Sequence, residues 1–368
     1  MYPSKIIDLF AGPGGLDMAA TALLIPVIGI EFDADACATR RAADLETEQC
    51  DVRHRGPGHF QDARILVGGP PCQTFTVAGN GAGRRALDQV LTLARRMAGG
   101  EEIGSLLAGL SDERTGLVLE PLRWALDAIK LEHPYETIVL EQVPAVLPVW
   151  KEYKKILEAR GYVARCEVLH TEEFGVPQTR RRAILIARLK DANSVSGSGV
   201  RLPKPTHHRF HKHGKAQLSV IEDELEPWVT MGQVLGRQAP FEVVSNYGSG
   251  GDPKARGRRT HEEPAFTVTG KISRNRVFRT DMKSRGKDDW TRIEDHEAGL
   301  LQTFPANYPW SGRAISQQIG NAIPPRLGIH VLAAALDLGE EDVKAALKRL
   351  ETWEPPILVP SPPESPTL

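Results

Sequence analysis

Short apolar runs alternate with amphipathic stretches through the first half of the chain. The runs Lys5–Leu9, Pro26–Glu31, Ala63–Gly68, Thr137–Glu141, Ala164–Leu169 and Ala183–Ala187 are rich in aliphatic residues and predict strands. Helical spacing of apolar positions covers Leu16–Ala22, Asp33–Asp44, Asp88–Met97, Val118–Ile129 and Val149–Arg160. Pro121 falls inside one of these, and belongs near its start or else kinks it. Strands and helices alternating in this order are the pattern of a parallel α/β sheet.

The pattern changes at Asp191–Gly199 (DANSVSGSG), a small-residue stretch that reads as a linker or exposed loop. Beyond it periodicity is poor as far as Trp290, while Gly, Arg, Lys and His are frequent. Residues 251–290 hold eleven Lys/Arg against six Asp/Glu, a local charge of +5, and Arg201–Ala216 adds five basic residues and no acid. Such a segment suits a phosphate-binding surface, and it equally suits a solvated, loop-rich lobe. From Arg326 to Leu350 the spacing turns helical again, and Glu354–Leu368 is proline-rich and reads as a disordered tail.

Composition narrows the class. The chain has 368 residues, 41% of them hydrophobic and 25% charged, which excludes a disordered or fibrous protein. At roughly 150 residues per domain, two domains are expected. Lys+Arg number 46 and Asp+Glu 47, so binding of nucleic acid by bulk charge is excluded, but not binding by a local basic face. No apolar run approaches the ~18 residues of a membrane span. The N-terminus runs straight into a strand, so no secretory signal is expected. Cys37, Cys50, Cys72 and Cys166 form no CxxC pair, which argues against a cysteine zinc ribbon or a disulfide scaffold and for a reducing, cytoplasmic setting.

The ends of the strands carry the candidate chemistry. Ile6–Phe10 leads into Ala11-Gly12-Pro13-Gly14-Gly15 and a helix, the strand–glycine turn–helix of nucleotide-cofactor folds. The second strand ends in Glu31, placed to hydrogen-bond ribose hydroxyls, and Asp51 follows the next strand-like stretch. This turn does not distinguish a dinucleotide from S-adenosylmethionine. Ile65–Gly69 ends in Pro70-Pro71-Cys72-Gln73, so Cys72 is a candidate nucleophile on a loop stiffened by two prolines; a buried structural cysteine is the alternative. Gly79–Gly83 and Arg84-Arg85 follow as a mobile, positive loop. Thr137–Glu141 ends in an acid fit to donate a proton. Before the strand Ala183–Ala187, period-two alternation lets Gln178, Arg180 and Arg182 point together into the crevice.

In order and in nearly every block these residues resemble the C5-specific DNA cytosine methyltransferase family. Asp8–Gly15 (DLFAGPGG) resembles its first cofactor motif, Gly68–Gln73 (GGPPCQ) its catalytic Pro-Cys loop, and Leu140–Val143 (LEQV) its Glu-Asn-Val motif. Phe174–Arg182 (FGVPQTRRR) resembles its Gln-x-Arg-x-Arg block. Leu202–His207 (LPKPTH) and Glu263–Thr269 (EPAFTVT) resemble the flanks of its target-recognition region. Leu300–Pro305 (LLQTFP) and Gln317–Pro325 (QQIGNAIPP) resemble its closing motifs, and the whole set spans about Ile6 to Leu336. One departure stands out: Gln142 occupies the place of the family's Asn, which braces the Pro-Cys loop.

The resemblance implies a doubly wound, mostly parallel, S-adenosylmethionine-dependent methyltransferase sheet in residues 1–196 and a smaller irregular target-recognition domain in 200–311. It further implies a segment returning to the catalytic domain in 312–350, leaving 351–368 as the tail. It implies methyl transfer from S-adenosylmethionine to C5 of a cytosine flipped out of duplex DNA, yielding S-adenosylhomocysteine and 5-methylcytosine. Carried over residue by residue, Cys72 adds to C6, Glu141 serves N3, Arg182 contacts the base, and Arg180 supports loop and phosphates. Phe10 stacks on adenine, Glu31 holds the ribose and Asp51 the adenine amino group. Gly12, Pro13, Gly15, Phe32, Val52, Pro71, Asn321 and Ala322 complete the cofactor site, and Pro70, Gln73, Gln178, Arg84 and Arg85 meet the substrate. No metal is needed, and the run His207-His208-x-x-His211-x-His213 reads as phosphate contacts or solvated surface. A monomer is expected, with a cognate restriction endonuclease as a partner the resemblance allows. Three alternatives remain: a tRNA cytosine-5 methyltransferase of the same fold, whose Cys-Phe-Thr signature is missing here because no cysteine follows Cys166; a non-catalytic DNA-binding relative; and a small-molecule oxidoreductase on a dinucleotide fold, which leaves the Pro-Cys loop and the basic lobe unexplained.

Overall fold

Ile6, Ile7 and Leu9 are buried from both sides, which places their strand in the middle of a sheet rather than at its edge. In the computed structural model, which describes residues 4–71, 82–107, 113–190, 199–212, 224–245, 256–281 and 289–355, this strand, β1 (Lys5–Leu9), is the hub of seven. The others are β2 (Val27–Glu31), β3 (Thr47–Gln49), β4 (Ala63–Gly68), β5 (Thr137–Gln142), β6 (Tyr162–His170) and β7 (Arg181–Leu189). Their order is β3-β2-β1-β4-β5-β7-β6. The first five pair in parallel, and β7 runs antiparallel to both β5 and β6. Six strands match the expected runs, β1 and β4 at both ends and the other four with shifted ends; β3, three residues long, is the strand-like stretch read before Asp51.

Period-two alternation divides the core. Ile7, Leu9, Leu66, Ile138 and Leu140 face the helices Ala82–Ala98, Glu120–Lys130 and Leu147–Glu158. Ile6, Ile65, Val67 and Val139 face the helices Gly15–Ala22 and Pro325–Leu336. Helices thus cover both faces, and the chain leaves β1 in one direction for β2 and β3 and returns on its other side for β4 and β5. The crevice beyond the carboxyl ends of β1 and β4 is the topological switch point, where open α/β sheets bind ligands. Pro121 sits in the first turn of Glu120–Lys130, where no helical N–H is lost.

Three expectations are corrected. The helix read as Asp88–Met97 spans Ala82–Ala98, so Arg84 and Arg85 are exposed residues of its first turn rather than parts of a loop. The helical stretch Arg326–Leu350 is two helices, Pro325–Leu336 and Glu340–Glu351, separated at Asp337 with its left-handed φ of 59°. The tail starts later than residue 351: Trp353 packs on Tyr308 with ring centres 5.6 Å apart. The linker residues 191–198 and the tail beyond residue 355 lie outside the described residues.

The poorly periodic segment builds a second sheet of three short antiparallel strands, β8 (Phe241–Val244), β9 (Arg258–Thr260) and β10 (Arg276–Arg279), ordered β10-β8-β9. Strands of three or four residues are too short to display a period of two, so they are invisible in the pattern. Met231, Phe241, Val243, Val268, Ile272, Val277, Leu301 and Ile319 form a separate apolar core behind this sheet. The chain crosses back at the turn after Ile319, because Ala322 and Ile323 already belong to the core of the large sheet.

Candidate active site

At the switch point lies a cavity of about 380 Å³, within the range of small-molecule sites. The glycine turn after β1 forms one wall. Gly12 (φ +56°) and Gly14 (φ +101°) take left-handed conformations that a side chain strains, and a Cβ on Gly12 would point into open space. Glu31, at the end of β2, closes this turn. Its Oε2 accepts from the N–H of Gly12 at 2.7 Å, and its Oε1 from Phe32 and Asp33 at 2.8 and 2.7 Å. Burial pushes the Glu31 carboxyl up, and these three backbone donors oppose that. Three donors leave the carboxylate capacity for one more, of the kind a sugar hydroxyl provides.

Beneath the turn, Asp17 and Arg40 form a bidentate ion pair at 2.7 and 2.8 Å with both side chains fully buried. Arg40 occupies the space where a Cβ on residue 29 would stand, which explains the glycine in β2. Tyr308 donates its hydroxyl to the Pro13 carbonyl, tying the C-terminal aromatic cluster to the turn. Asp8, inside β1 and 1% exposed, lines the cavity floor. Its Oδ1 has no hydrogen-bond partner, and burial together with Asp17 raises its pKa well above the carboxylate range. A lone acid in the apolar run IIDLF was the signal for this residue, which the sequence reading did not single out.

Opposite the turn, Glu141 is the last residue but one of β5 and Arg182 the second of β7. Arg182 Nε stands 2.5 Å from Glu141 Oε1, with side chains 11% and 8% exposed. Burial lowers the Arg182 pKa and the Glu141 carboxylate pulls it back. Gln142 donates from Nε2 to the Pro70 carbonyl at 2.6 Å, and Pro71 lines the cavity next to it. Cys72 and Gln73 lie outside the described residues. The other three cysteines are free thiols whose pKa burial raises, Cys37 to about 11, so none is a ready thiolate.

The cavity brings together Phe10, Gly12, Pro13, Gly15, Glu31, Pro71, Asn321 and Ala322 with Glu141 and Arg182. It does not gather the rest. Gln178 is fully buried, donating to Leu301 O and Gln302 Oε1 at 2.7 Å each and accepting from Val268 N–H at 2.9 Å. Arg180 is 1% exposed and donates to the carbonyls of Val268, Gly320 and Ala322 at 2.8–3.0 Å. Burial drives its pKa well down. Both side chains fasten the small lobe to the large one and do not line the cavity, contrary to the expectation of three residues pointing into the crevice. β7 begins only at Arg181, so strand alternation does not reach back to residues 178 and 180. Gln302, unnoticed in the sequence, completes this seam by donating to Ile319 O at 2.6 Å and Ala322 O at 3.0 Å.

Asp51 is also engaged elsewhere: it caps the turn Val52–His54 and pairs with Arg53 at 2.6 Å, a bond that lowers its pKa. Neither Asp51 nor Val52 lines the cavity, and Val52 is buried, its carbonyl accepting from Arg123. Phe32 is 73% exposed beside Glu31. Pro70 is buried. Within the histidine run, His207 is buried between Thr206 Oγ1 at 2.9 Å and Glu226 at 3.4 Å, and His213 lies outside the described residues. Among the described residues there is no group of three metal-ligating side chains and no helix long and apolar enough to cross a membrane.

A sheet of this order with a carboxylate-closed glycine turn facing a carboxylate–arginine pair is an α/β fold with a nucleotide-cofactor type of site at its switch point. The family model for C-5 cytosine-specific DNA methylase matches residues 4–94 and 107–336, and the chain belongs to that family. By that family it is a DNA cytosine-5 methyltransferase. Type II methyltransferase M1.HphI of Haemophilus parahaemolyticus is 27% identical over 373 residues, covering 91% of this chain and 87% of that protein. Type II methyltransferase M.NgoFVII of Neisseria gonorrhoeae is 26% identical, covering 90% and 86%. Among solved structures, S. pombe Dnmt2 methyltransferase superposes with a TM-score of 0.59 at 16% identity, covering 91% of this chain and 98% of that one. A putative DNA modification methyltransferase from an E. coli prophage gives 0.52 at 18%, covering 91% and 99%. At these identities the two structures speak for the fold.

Proposed function

We propose that the protein methylates C5 of a cytosine flipped out of duplex DNA through a transient thioether between Cys72 and C6. The observation that carries this reading is the Glu141–Arg182 pair, held at the wall of the cavity that the Glu31-closed turn forms and that Pro71 leads into. Cytosine C5 is a weak nucleophile. Addition of the Cys72 thiolate to C6 forms the C–S bond and pushes the ring electrons toward N3, where Glu141 gives up a proton. The resulting enamine is nucleophilic at C5. Arg182 holds Glu141 and offers N–H donors to the base. After C5 has been alkylated, loss of its proton to solvent and expulsion of Cys72 as thiolate restore the C5–C6 double bond, and N3 returns its proton to Glu141.

The methyl donor is S-adenosylmethionine, which supplies an electrophilic methyl carbon when bound and leaves as S-adenosylhomocysteine. The donor set fits such a group: Glu31 has capacity for a ribose hydroxyl, Asp8 Oδ1 is buried without a partner, and Gly12 leaves space for close approach. Phe10 and the exposed Phe32 supply rings for the adenine, and Asn321 and Ala322 close the far wall. The small lobe around β8–β10, within residues 200–311, reads the DNA, and exposed Arg84 and Arg85 meet its backbone. The test is transfer of labelled methyl from S-adenosylmethionine to mixed-sequence duplex DNA, with tRNA in parallel and Cys72→Ala as control. Label in DNA that vanishes in the variant supports the reading. Label in tRNA alone, or transfer that survives Cys72→Ala, overturns it.

A further inference from the structure

Tyr308 does not line the cavity, yet it is bonded to one of the cavity's walls. Its side chain is buried and packs on Phe304, Trp310 and Trp353, with ring centres 4.7, 4.8 and 5.6 Å away. The hydroxyl end leaves this aromatic cluster and reaches the glycine turn, where it donates to the Pro13 carbonyl. Burial raises the phenol pKa, so the hydroxyl stays protonated and able to donate.

The turn needs a tie at this point. Pro13 lines the cavity and stands between Gly12 and Gly14, both in left-handed conformations, so the backbone on either side of it has the most freedom to lose. Backbone hydrogen bonds hold the ends of the turn: Ala11 N–H donates to Ile30 O and Gly14 N–H to Ala11 O, both at 3.1 Å. Pro13 has no N–H to give, and its carbonyl receives the Tyr308 hydroxyl. That hydroxyl also stands 3.0 Å from the place of a Cβ on residue 14, so the glycine makes room for it. We infer that Tyr308 is a positioning residue for the cofactor: by holding the Pro13 carbonyl it keeps the glycine turn, before any ligand arrives, in the shape that receives S-adenosylmethionine. The turn is then ordered during folding rather than during binding, and the affinity rises by the ordering that binding no longer has to do. This rests on the reading that the cavity takes S-adenosylmethionine. No strand end points to Tyr308, which follows Pro13 by 295 residues.

The experiment is calorimetric titration of the full-length protein with S-adenosylhomocysteine and with S-adenosylmethionine, beside steady-state methyl transfer and thermal melting. Tyr308→Phe keeps the ring and removes the hydroxyl. Its Kd for either ligand should rise roughly five- to tenfold, as for the loss of one hydrogen bond, and its KM for S-adenosylmethionine by the same factor at unchanged kcat. Trp353→Leu is the control. It removes a half-buried ring from the far side of Tyr308 and leaves the hydroxyl in place, so the melting temperature should fall while Kd keeps its wild-type value. A merely structural role predicts instead that affinity follows melting temperature in both variants. If Tyr308→Phe melts early, titration well below its midpoint still reads the Kd of the folded protein, with the stoichiometry giving the folded fraction. An unchanged Kd in Tyr308→Phe, or a Kd raised equally in both variants, overturns the positioning and leaves the proposed function standing. Wild-type protein that binds neither ligand overturns the cofactor reading and the positioning with it.

Discussion

Gln142 holds the Pro70 carbonyl at 2.6 Å through its side-chain Nε2, while its side-chain Oε1 accepts from the Val143 N–H at 2.5 Å. The amide thus spans from the end of β5 to the loop two residues before Cys72, and the extra methylene relative to asparagine is taken up by folding back on Val143. The departure at this position is therefore compatible with a braced loop.

Removing the brace should cost one hydrogen bond. Gln142→Ala is expected to lower kcat roughly tenfold, the equivalent of about 1–1.5 kcal/mol, with the affinity for S-adenosylmethionine unchanged. Single-turnover methyl transfer beside a binding titration separates the two quantities. A loss of cofactor affinity instead of turnover would show that the amide shapes the cavity and not the loop.

Glu141 and Arg182 are unequal partners. Glu141→Gln removes the proton donor, so methyl transfer by the folded fraction should fall by about 10²–10⁴, and it leaves the buried Arg182 cation without its carboxylate, so the melting temperature should fall too. Arg182→Ala leaves a buried carboxylate without its cation and should also destabilise the fold by about 3–5 kcal/mol, readable in urea unfolding.

The seam between the lobes is structural in a different way. Gln302→Ala strands the Ile319 carbonyl in a buried place, at a cost of about 1–3 kcal/mol where no water enters, and takes one of two partners from the Gln178 amide and from the Ala322 carbonyl. Urea unfolding should shift to a lower midpoint, and methyl transfer by the folded fraction should survive. A variant as stable as the wild type would mean that the seam is already open to water.

Glu172 supplies a pH dependence. Burial raises its carboxyl from 4.5 to about 7, and its Oε2 has no partner. Because the folded pKa is the higher one, the folded state keeps the proton that the unfolded chain releases, and stability falls as pH rises from about 4.5 to 7. His170, whose Nδ1 lies 3.7 Å from Glu172 and whose pKa burial lowers to about 4, acts oppositely between about 4 and 6.5. The variant Glu172→Gln removes only the first effect. Its stability relative to wild type should therefore grow by about 2–3 kcal/mol across pH 4.5–7 and stay level above. A difference independent of pH would refute the assignment.

Legibility in the sequence followed topology. Phe10, Glu31, Pro71 and Glu141 were readable because each follows or ends an apolar strand, and a parallel sheet brings the carboxyl ends of its strands to one edge whatever the connections do. Asp8 was as visible, since an acid inside IIDLF breaks an otherwise continuous apolar run. Gln178 and Arg180 were misread because alternation was extended past the true start of β7 at Arg181. Asp51 was placed by its position after a strand, while its partner Arg53 lies only two residues on and captures it first.

The sequence by itself determined the large sheet and the ends of its strands, since burial from both faces demands apolar runs and these are local. Only the tertiary structure decided that Gln178, Arg180 and Gln302 join the lobes while Arg182 faces the cavity. Their partners are carbonyls and an amide as many as 142 residues away, and a backbone carbonyl carries no signature in the sequence. The same holds for the small sheet, whose short strands are specified by the core behind them rather than by any period of their own.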